Sequence, residues 1–95
     1  MPGAHRNTDN RSCGAETVST QSRNVYVNGL LWAINGDPDS HGGGDLIASQ
    51  STVFIGGVAV IVQGDQASPD NLCPHPGGSH CDPQAVGCST NVFIG

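Results

Sequence analysis

Two apolar stretches of the chain carry the same punctuation. Asn24-Val-Tyr-Val-Asn-Gly29 leads into a second apolar run from Leu30 to Ile34, and Thr52-Val-Phe-Ile-Gly-Gly57 leads into another from Val58 to Val62. The first run of each pair is rich in β-branched and aromatic residues, which suit the pleated surface of a strand. Asn28-Gly29 and Gly56-Gly57 accept the positive φ angles that a two-residue hairpin turn demands. Each second run stops at Gly36-Asp37 or Gly64-Asp65, where an aspartate can bond its own backbone and hold a turn. Glycine-rich loops follow at 42–44 and 77–78. The predicted unit is strand, tight turn, strand and a Gly/Asp loop.

The unit repeats. A shift of 28 positions places Asp9 on Asp37 and Asp37 on Asp65, Cys13 on His41, Gly14 on Gly42, Val25 on Val53, Tyr26 on Phe54, Val27 on Ile55 and Gly36 on Gly64. A third copy of the strand, Asn91-Val-Phe-Ile-Gly95, follows Thr52 by 39 positions, so the last unit carries an insertion of 11 residues. No single unit of this kind can bury a face alone, but three stacked about an axis share one core. The expected fold is all-β, a single small domain over residues 1–95 built from three β-hairpin repeats with pseudo-threefold symmetry. The plainer alternative is a three-hairpin domain whose repeats only record duplication. Tyr26, Phe54 and Phe93 occupy equivalent positions, as do Val25, Val53 and Val92. Period-two alternation makes the two sets face opposite ways without saying which faces out.

Candidate chemistry falls in register with the repeat. Cys13 lies 11 residues before Asn24, His41 lies 11 before Thr52, and His80 lies 11 before Asn91. A threefold arrangement converges these three side chains near the axis. The inserted loop, Leu72-Cys-Pro-His-Pro-Gly-Gly-Ser-His-Cys81, offers His75, Cys73 or Cys81 as a fourth donor. The expected metal ligands are Cys13, His41, His75 and His80. Zinc is favoured over iron, because a set of thiolate and imidazoles closed by four protein donors suits a structural zinc site. Cys73 and Cys81 alternatively form a bridge in an oxidised sample, Cys88 reads as a small packing residue, and His5 is out of register with the ligand positions. Asp37-Pro38-Asp39 looks like part of a calcium loop, but the remaining spacing is absent. No Gly-x-Ser-x-Gly elbow and no phosphate-binding Gly-x-x-x-x-Gly-Lys occurs, so no catalytic residue is expected. The carboxylates are expected to cap turns and keep the surface soluble.

Composition narrows the partners. Of 95 residues 14 are Gly and 6 are Pro, and Lys is absent, which favours turns and short strands over helices. All three cations, Arg6, Arg11 and Arg23, lie in the first quarter, and six of the eight carboxylates lie beyond Arg23. A net charge of −5 repels phosphate backbones and anionic headgroups, so nucleic acid is not an expected partner. No charged start followed by an apolar run marks a signal peptide, and no run approaches spanning length. Synthesis in the cytoplasm is expected, with the Cys and His set read as metal ligation in preference to disulfides.

Ala4-His5-Arg6-Asn7-Thr8-Asp9, Gly36-Asp37-Pro38-Asp39-Ser40-His41-Gly42-Gly43 and the Asn-Val-(Tyr/Phe)-(Val/Ile) strands resemble the PAAR-repeat proteins, the spike-tip family of contractile phage tails and type VI secretion systems. The first segment is similar to the family's Pro-Ala-Ala-Arg-x-Gly-Asp, with Thr8 in place of the usual Gly, and the later copies of the tetrapeptide are degenerate. The resemblance spans essentially the whole chain. It implies a small cone with a metal near its vertex and a broad base seated on a trimeric β-helical spike protein, one tip per trimer. The implied role is mechanical: a monomeric cap that sharpens the spike, touches the target membrane transiently and is assembled into a virion baseplate or a secretion spike. An adaptor that carries effectors noncovalently is the alternative within the same family. A small metallohydrolase and an extracellular disulfide-knotted module are the rivals outside it.

Overall fold

The computed structural model describes residues 2–19, 24–73 and 81–94. These residues form a small all-β body with almost no helix, 33 × 23 × 23 Å in extent. Two tight hairpins match the repeated pattern. β1 (Tyr26–Val27) pairs antiparallel with β2 (Leu30–Leu31), and β4 (Phe54–Ile55) pairs with β5 (Val58–Ala59) in the same register. The turns are made possible by φ of 55° at Asn28 and 82° at Gly29, and 59° and 86° at Gly56 and Gly57. A third pair of strands, β3 (Leu46–Ile47) and β6 (Gln66–Ala67), joins segments from different repeats.

The third repeat completes its hairpin with distant chain. Phe93 bridges Gly3, and the Ala4 N–H donates to the Val92 carbonyl at 2.9 Å. The corresponding bonds in the other repeats run from Trp32 N–H to Val25 (3.0 Å) and from Val60 N–H to Val53 (3.2 Å). Residues 92–94 thus pair with residues 2–4 as each hairpin strand pairs with its neighbour.

Each second apolar run does two jobs. Its first half folds back within the hairpin, and its second half bridges the neighbouring repeats. Trp32 pairs with Arg6, Ile34 with Val60, and Val62 with Ala4. At the centre the pairing closes on itself: Ala33 N–H donates to the His5 carbonyl (2.9 Å), Ile61 N–H to Ala33 (2.9 Å), and His5 N–H to Ile61 (3.1 Å). These three residues stand 28 positions apart. The expected aspartate turns recur at the same interval. Asp9, Asp37 and Asp65 accept from the backbone N–H of Arg6, Ile34 and Val62 at 2.9, 2.9 and 3.0 Å.

Two apolar clusters flank this closed set of bonds. The larger holds Ala4, Val27, Trp32, Ile34, Ile55 and Val60, with Val53, Val58, Val92 and Ile94 packed against it. The smaller holds Ala33, Leu46, Ile61, Ala67 and Ala85. Val27 and Ile55 face inward, while Tyr26, Phe54 and Phe93 are 58%, 51% and 45% exposed. The aromatic set is therefore the outward one. Surface charge follows the expectation less well, because Asp37, Asp39, Asp65 and Asp70 are all buried, as is Arg11. Those four carboxylates cap turns from inside the protein, where backbone N–H groups replace water.

Candidate metal centre

The loops that follow the aspartate turns converge. Cys13 Sγ lies 3.8 Å from His41 Nδ1, 3.6 Å from Asp70 Oδ2 and 3.9 Å from Asp39 Oδ2. His41 Nδ1 lies 3.3 Å from Asp70 Oδ2. One donor atom from each of the four residues falls within 4.8 Å of the others, a group that could hold a metal ion. Bond lengths of about 2.3 Å to sulfur and about 2.0–2.1 Å to nitrogen or oxygen put tetrahedral donors about 3.3–3.6 Å apart. The distances among Cys13, His41 and Asp70 sit at or slightly above that range, so these side chains fit a small divalent ion with little movement.

Backbone contacts fix each donor. The Asp39 carboxylate accepts from the His41 N–H at 3.0 Å, which turns the chain back toward Cys13. Asp70 accepts from the Leu72 N–H at 2.8 Å and bridges Gly43. Gly44, with φ of 69°, lets the chain pass close: a Cβ there would stand 2.6 Å from Asp39 Oδ2 and 3.2 Å from the Asp70 Cβ. Any side chain at this position would displace a carboxylate from the cluster.

The protonation states invite a cation. Burial pushes the Asp39 carboxyl above its ordinary range, reinforced by a hydrogen bond with Asp70 and opposed by the His41 N–H and Arg11. Two carboxyls can hydrogen-bond each other only while one keeps a proton. Burial also raises the Cys13 thiol, with Asp39 and Asp70 adding to the effect. A dication would compensate the charge that these groups otherwise avoid by holding protons.

Behind the cluster runs a buried polar chain. The Arg11 guanidinium donates to the carbonyls of Gly44 (2.8 Å), Pro83 (3.0 Å) and Asp37 (3.2 Å), and its Nη1 stands 3.9 Å from Asp39 Oδ2. Its Nε–H donates to Thr17 Oγ1, which lies 2.6 Å from His5 Nε2. His5 Nδ1 is 2.6 Å from the Gly87 carbonyl, which can only accept, so Nδ1 carries the proton and Nε2 accepts from Thr17. Burial lowers the His5 pKa to about 4, partly offset by the bond to Gly87. His5 is a neutral structural residue, in keeping with its place outside the ligand register.

Of the expected ligands, the structure brings Cys13 and His41 together, whereas His75 and His80 lie outside the described residues. Cys73 and Cys81 are joined in a disulfide. Their thiols are thereby withdrawn as alternative fourth donors, which corrects the reading of the whole cysteine set as metal ligation. Cys13 and Cys88 are free, and Cys88 is half-buried beside Gly3. Asp39 and Asp70 were not anticipated. Asp70 falls five residues after Asp65, close to the four-residue step from Asp9 to Cys13 and from Asp37 to His41, and counting forward from each aspartate turn finds it. Counting back from the last strand crosses the insertion and leads to His80 instead. No known protein family matches the chain, and no curated protein is significantly similar to it in sequence.

Proposed function

We propose that this chain is a PAAR-type spike tip: a pseudo-threefold cone, pinned by zinc near its vertex, that caps the trimeric β-helical spike of a contractile injection machine and serves mechanically. The carrying observation is the ring of bonds at 28-residue intervals, together with exposed aromatics at the matching positions Tyr26, Phe54 and Phe93. One polypeptide with three like strand pairs, two hairpins and the pairing of residues 92–94 with 2–4, offers three like contact points to a partner with a true threefold axis. Exposed strand ends beside those aromatics would continue the partner's β-structure. The elongated shape, 33 Å by 23 Å by 23 Å, suits a cap that narrows from base to point. Around Cys13 and His41, metal binding energy would add to folding energy in loops too short of apolar side chains to pack. One thiolate, one imidazole and carboxylates suit zinc best among common divalent ions. A phage tail is favoured as the machine.

The test is assembly with the trimeric spike protein of the same machine, followed by light-scattering mass. One chain per trimer is expected, and Tyr26→Asp, Phe54→Asp and Phe93→Asp together should abolish the complex while leaving the metal content of the free tip unchanged. Three chains per trimer, or no association, would overturn the proposal.

A further inference from the structure

We propose that the Cys73–Cys81 disulfide is a redox-operated brace that sets how tightly the cluster of Cys13, Asp39, His41 and Asp70 holds a divalent metal. The inference rests on reading that cluster as a metal site, and it does not depend on the spike-tip assignment. Its basis is where the two feet of the inserted loop are anchored. On the first foot, the Asn71 N–H donates to the Gly42 carbonyl at 2.8 Å and Asp70 bridges Gly43, so this foot clasps the turn that presents His41. The Cys73 N–H in turn donates to the Asp70 carbonyl at 3.2 Å. On the second foot, the Ser12 N–H donates to the Gln84 carbonyl at 2.9 Å, the Gln84 N–H donates to Ser12 Oγ at 3.0 Å, and the Ser12 hydroxyl donates to the Asp82 carbonyl at 3.3 Å. Arg11 adds its bond to the Pro83 carbonyl at 3.0 Å. This foot clasps the turn that presents Cys13.

The disulfide joins the feet, with Cys73 and Cys81 Cα atoms 4.9 Å apart. It thus ties the His41 turn to the Cys13 turn from outside, through chain that carries Asp70 into the cluster. Without it the two feet are held by individual hydrogen bonds, each of modest net strength. With it, the donors keep their spacing before the ion arrives, and less ordering has to accompany binding. Closure is a thiol–disulfide exchange. The Cys73 and Cys81 thiols are oxidised to one S–S bond, while a small-molecule disulfide such as oxidised glutathione is reduced to two thiols that take up the two protons. The chain is therefore a weak metal binder while its thiols are reduced and a tight one once they are joined.

The experiment compares three forms of the full chain: oxidised, reduced, and the double variant Cys73→Ser/Cys81→Ser. Zinc affinity is read by competition with a chromophoric chelator, and cobalt spectra count the thiolates bound. The oxidised form should hold one zinc on the order of 10- to 100-fold more tightly than the other two, the scale of not having to order a few donor-bearing segments on binding. All three cobalt spectra should show a single thiolate, from Cys13. Amide exchange at Val27 and Ile55 guards against trivial loss of fold and should be unchanged. Equal affinities would overturn the brace. Tighter binding by the reduced wild type than by the double variant, with extra thiolates on cobalt, would make Cys73 and Cys81 ligands instead. Lost protection at Val27 and Ile55 would make the disulfide a general staple, and no zinc on the oxidised form would overturn both the brace and the metal site.

Discussion

The hairpins and the loops of this molecule are held by different physics. In the hairpin region Val27, Ile55, Val60, Ile34 and Trp32 exclude water, and turn residues with positive φ need only short strands to connect. Removal of apolar surface from water supplies the stabilisation. The loop region has the small cluster around Leu46 and Ile61, and beyond it a buried arginine, a buried histidine and four buried carboxylates. Here stability depends on every polar group finding its partner, and a missing partner costs more than a missing methyl. A 95-residue chain can fill one apolar core. Its remaining loops are ordered by charge, hydrogen bonds and candidate metal donors.

The contrast predicts a graded set of losses. Arg11→Met should be the most damaging, because it orphans the carbonyls of Gly44, Pro83 and Asp37 and leaves Asp39 without its cation. Breaking one side of a buried ionic network costs about 3–5 kcal/mol, measurable as a fall in the urea midpoint. A loss under about 1 kcal/mol would show that the loop region leans on packing after all.

Acidification comes next. His5 is held neutral with a pKa of about 4, below its ordinary 6.5, so the unfolded chain binds the extra proton first. Its contribution is complete above pH 6.5 and is lost as the pH falls toward about 4. The loss is on the order of 3 kcal/mol by linkage. Asp39 acts with the opposite sign: its raised pKa favours the folded state at low pH, so its contribution declines as the pH rises past the ordinary carboxylate range. His5 should therefore lower stability as the pH falls from 6.5 toward about 4, most clearly by comparison with a His5→Asn variant, and a His5 ring resonance that titrates near 6.5 in the folded protein would contradict the buried neutral assignment.

Val60→Ala is the mildest test and sharpens the comparison from the other side. Val60 is fully buried in the hairpin cluster, and removing two methyl groups should cost about 2 kcal/mol. Zinc affinity should not change. A weakened metal site in this variant would show that the two regions are mechanically one.

The hairpins were legible because their signals are local. Asn28-Gly29 and Gly56-Gly57 each specify a turn within six residues, and the strands on either side follow. The aspartate turns were legible for the same reason. The double use of the second apolar run was hidden, since nothing in Leu30 to Ile34 marks where pairing switches from the hairpin to the neighbouring repeat. The pairing of β3 with β6 joins residues 19 and 21 apart and leaves no periodic trace. In the site, the 28-residue offset pointed to Cys13 and His41, which the fold brings together. Asp39 lies within Asp37-Pro38-Asp39, which looks like part of a calcium loop but lacks its remaining spacing, and Asp70 is obscured by the insertion that separates the two ways of counting. Arg11 was read by its charge alone, and only the folded chain shows that its acceptors are backbone carbonyls from loops up to 72 residues away.

The pairing of Gly3 with Phe93 sets a condition on how the protein is made. Residues 2–4 are made well before residues 92–94 and cannot meet their strand partner until those have emerged. Until then the larger apolar cluster lacks Val92 and Ile94, and one rim of Ala4 stays wet. The two local hairpins need no such wait, so the delay falls on the strand pair that joins distant chain. This pairing, and the part of the apolar cluster that depends on it, should therefore form only after residues 92–94 have been made.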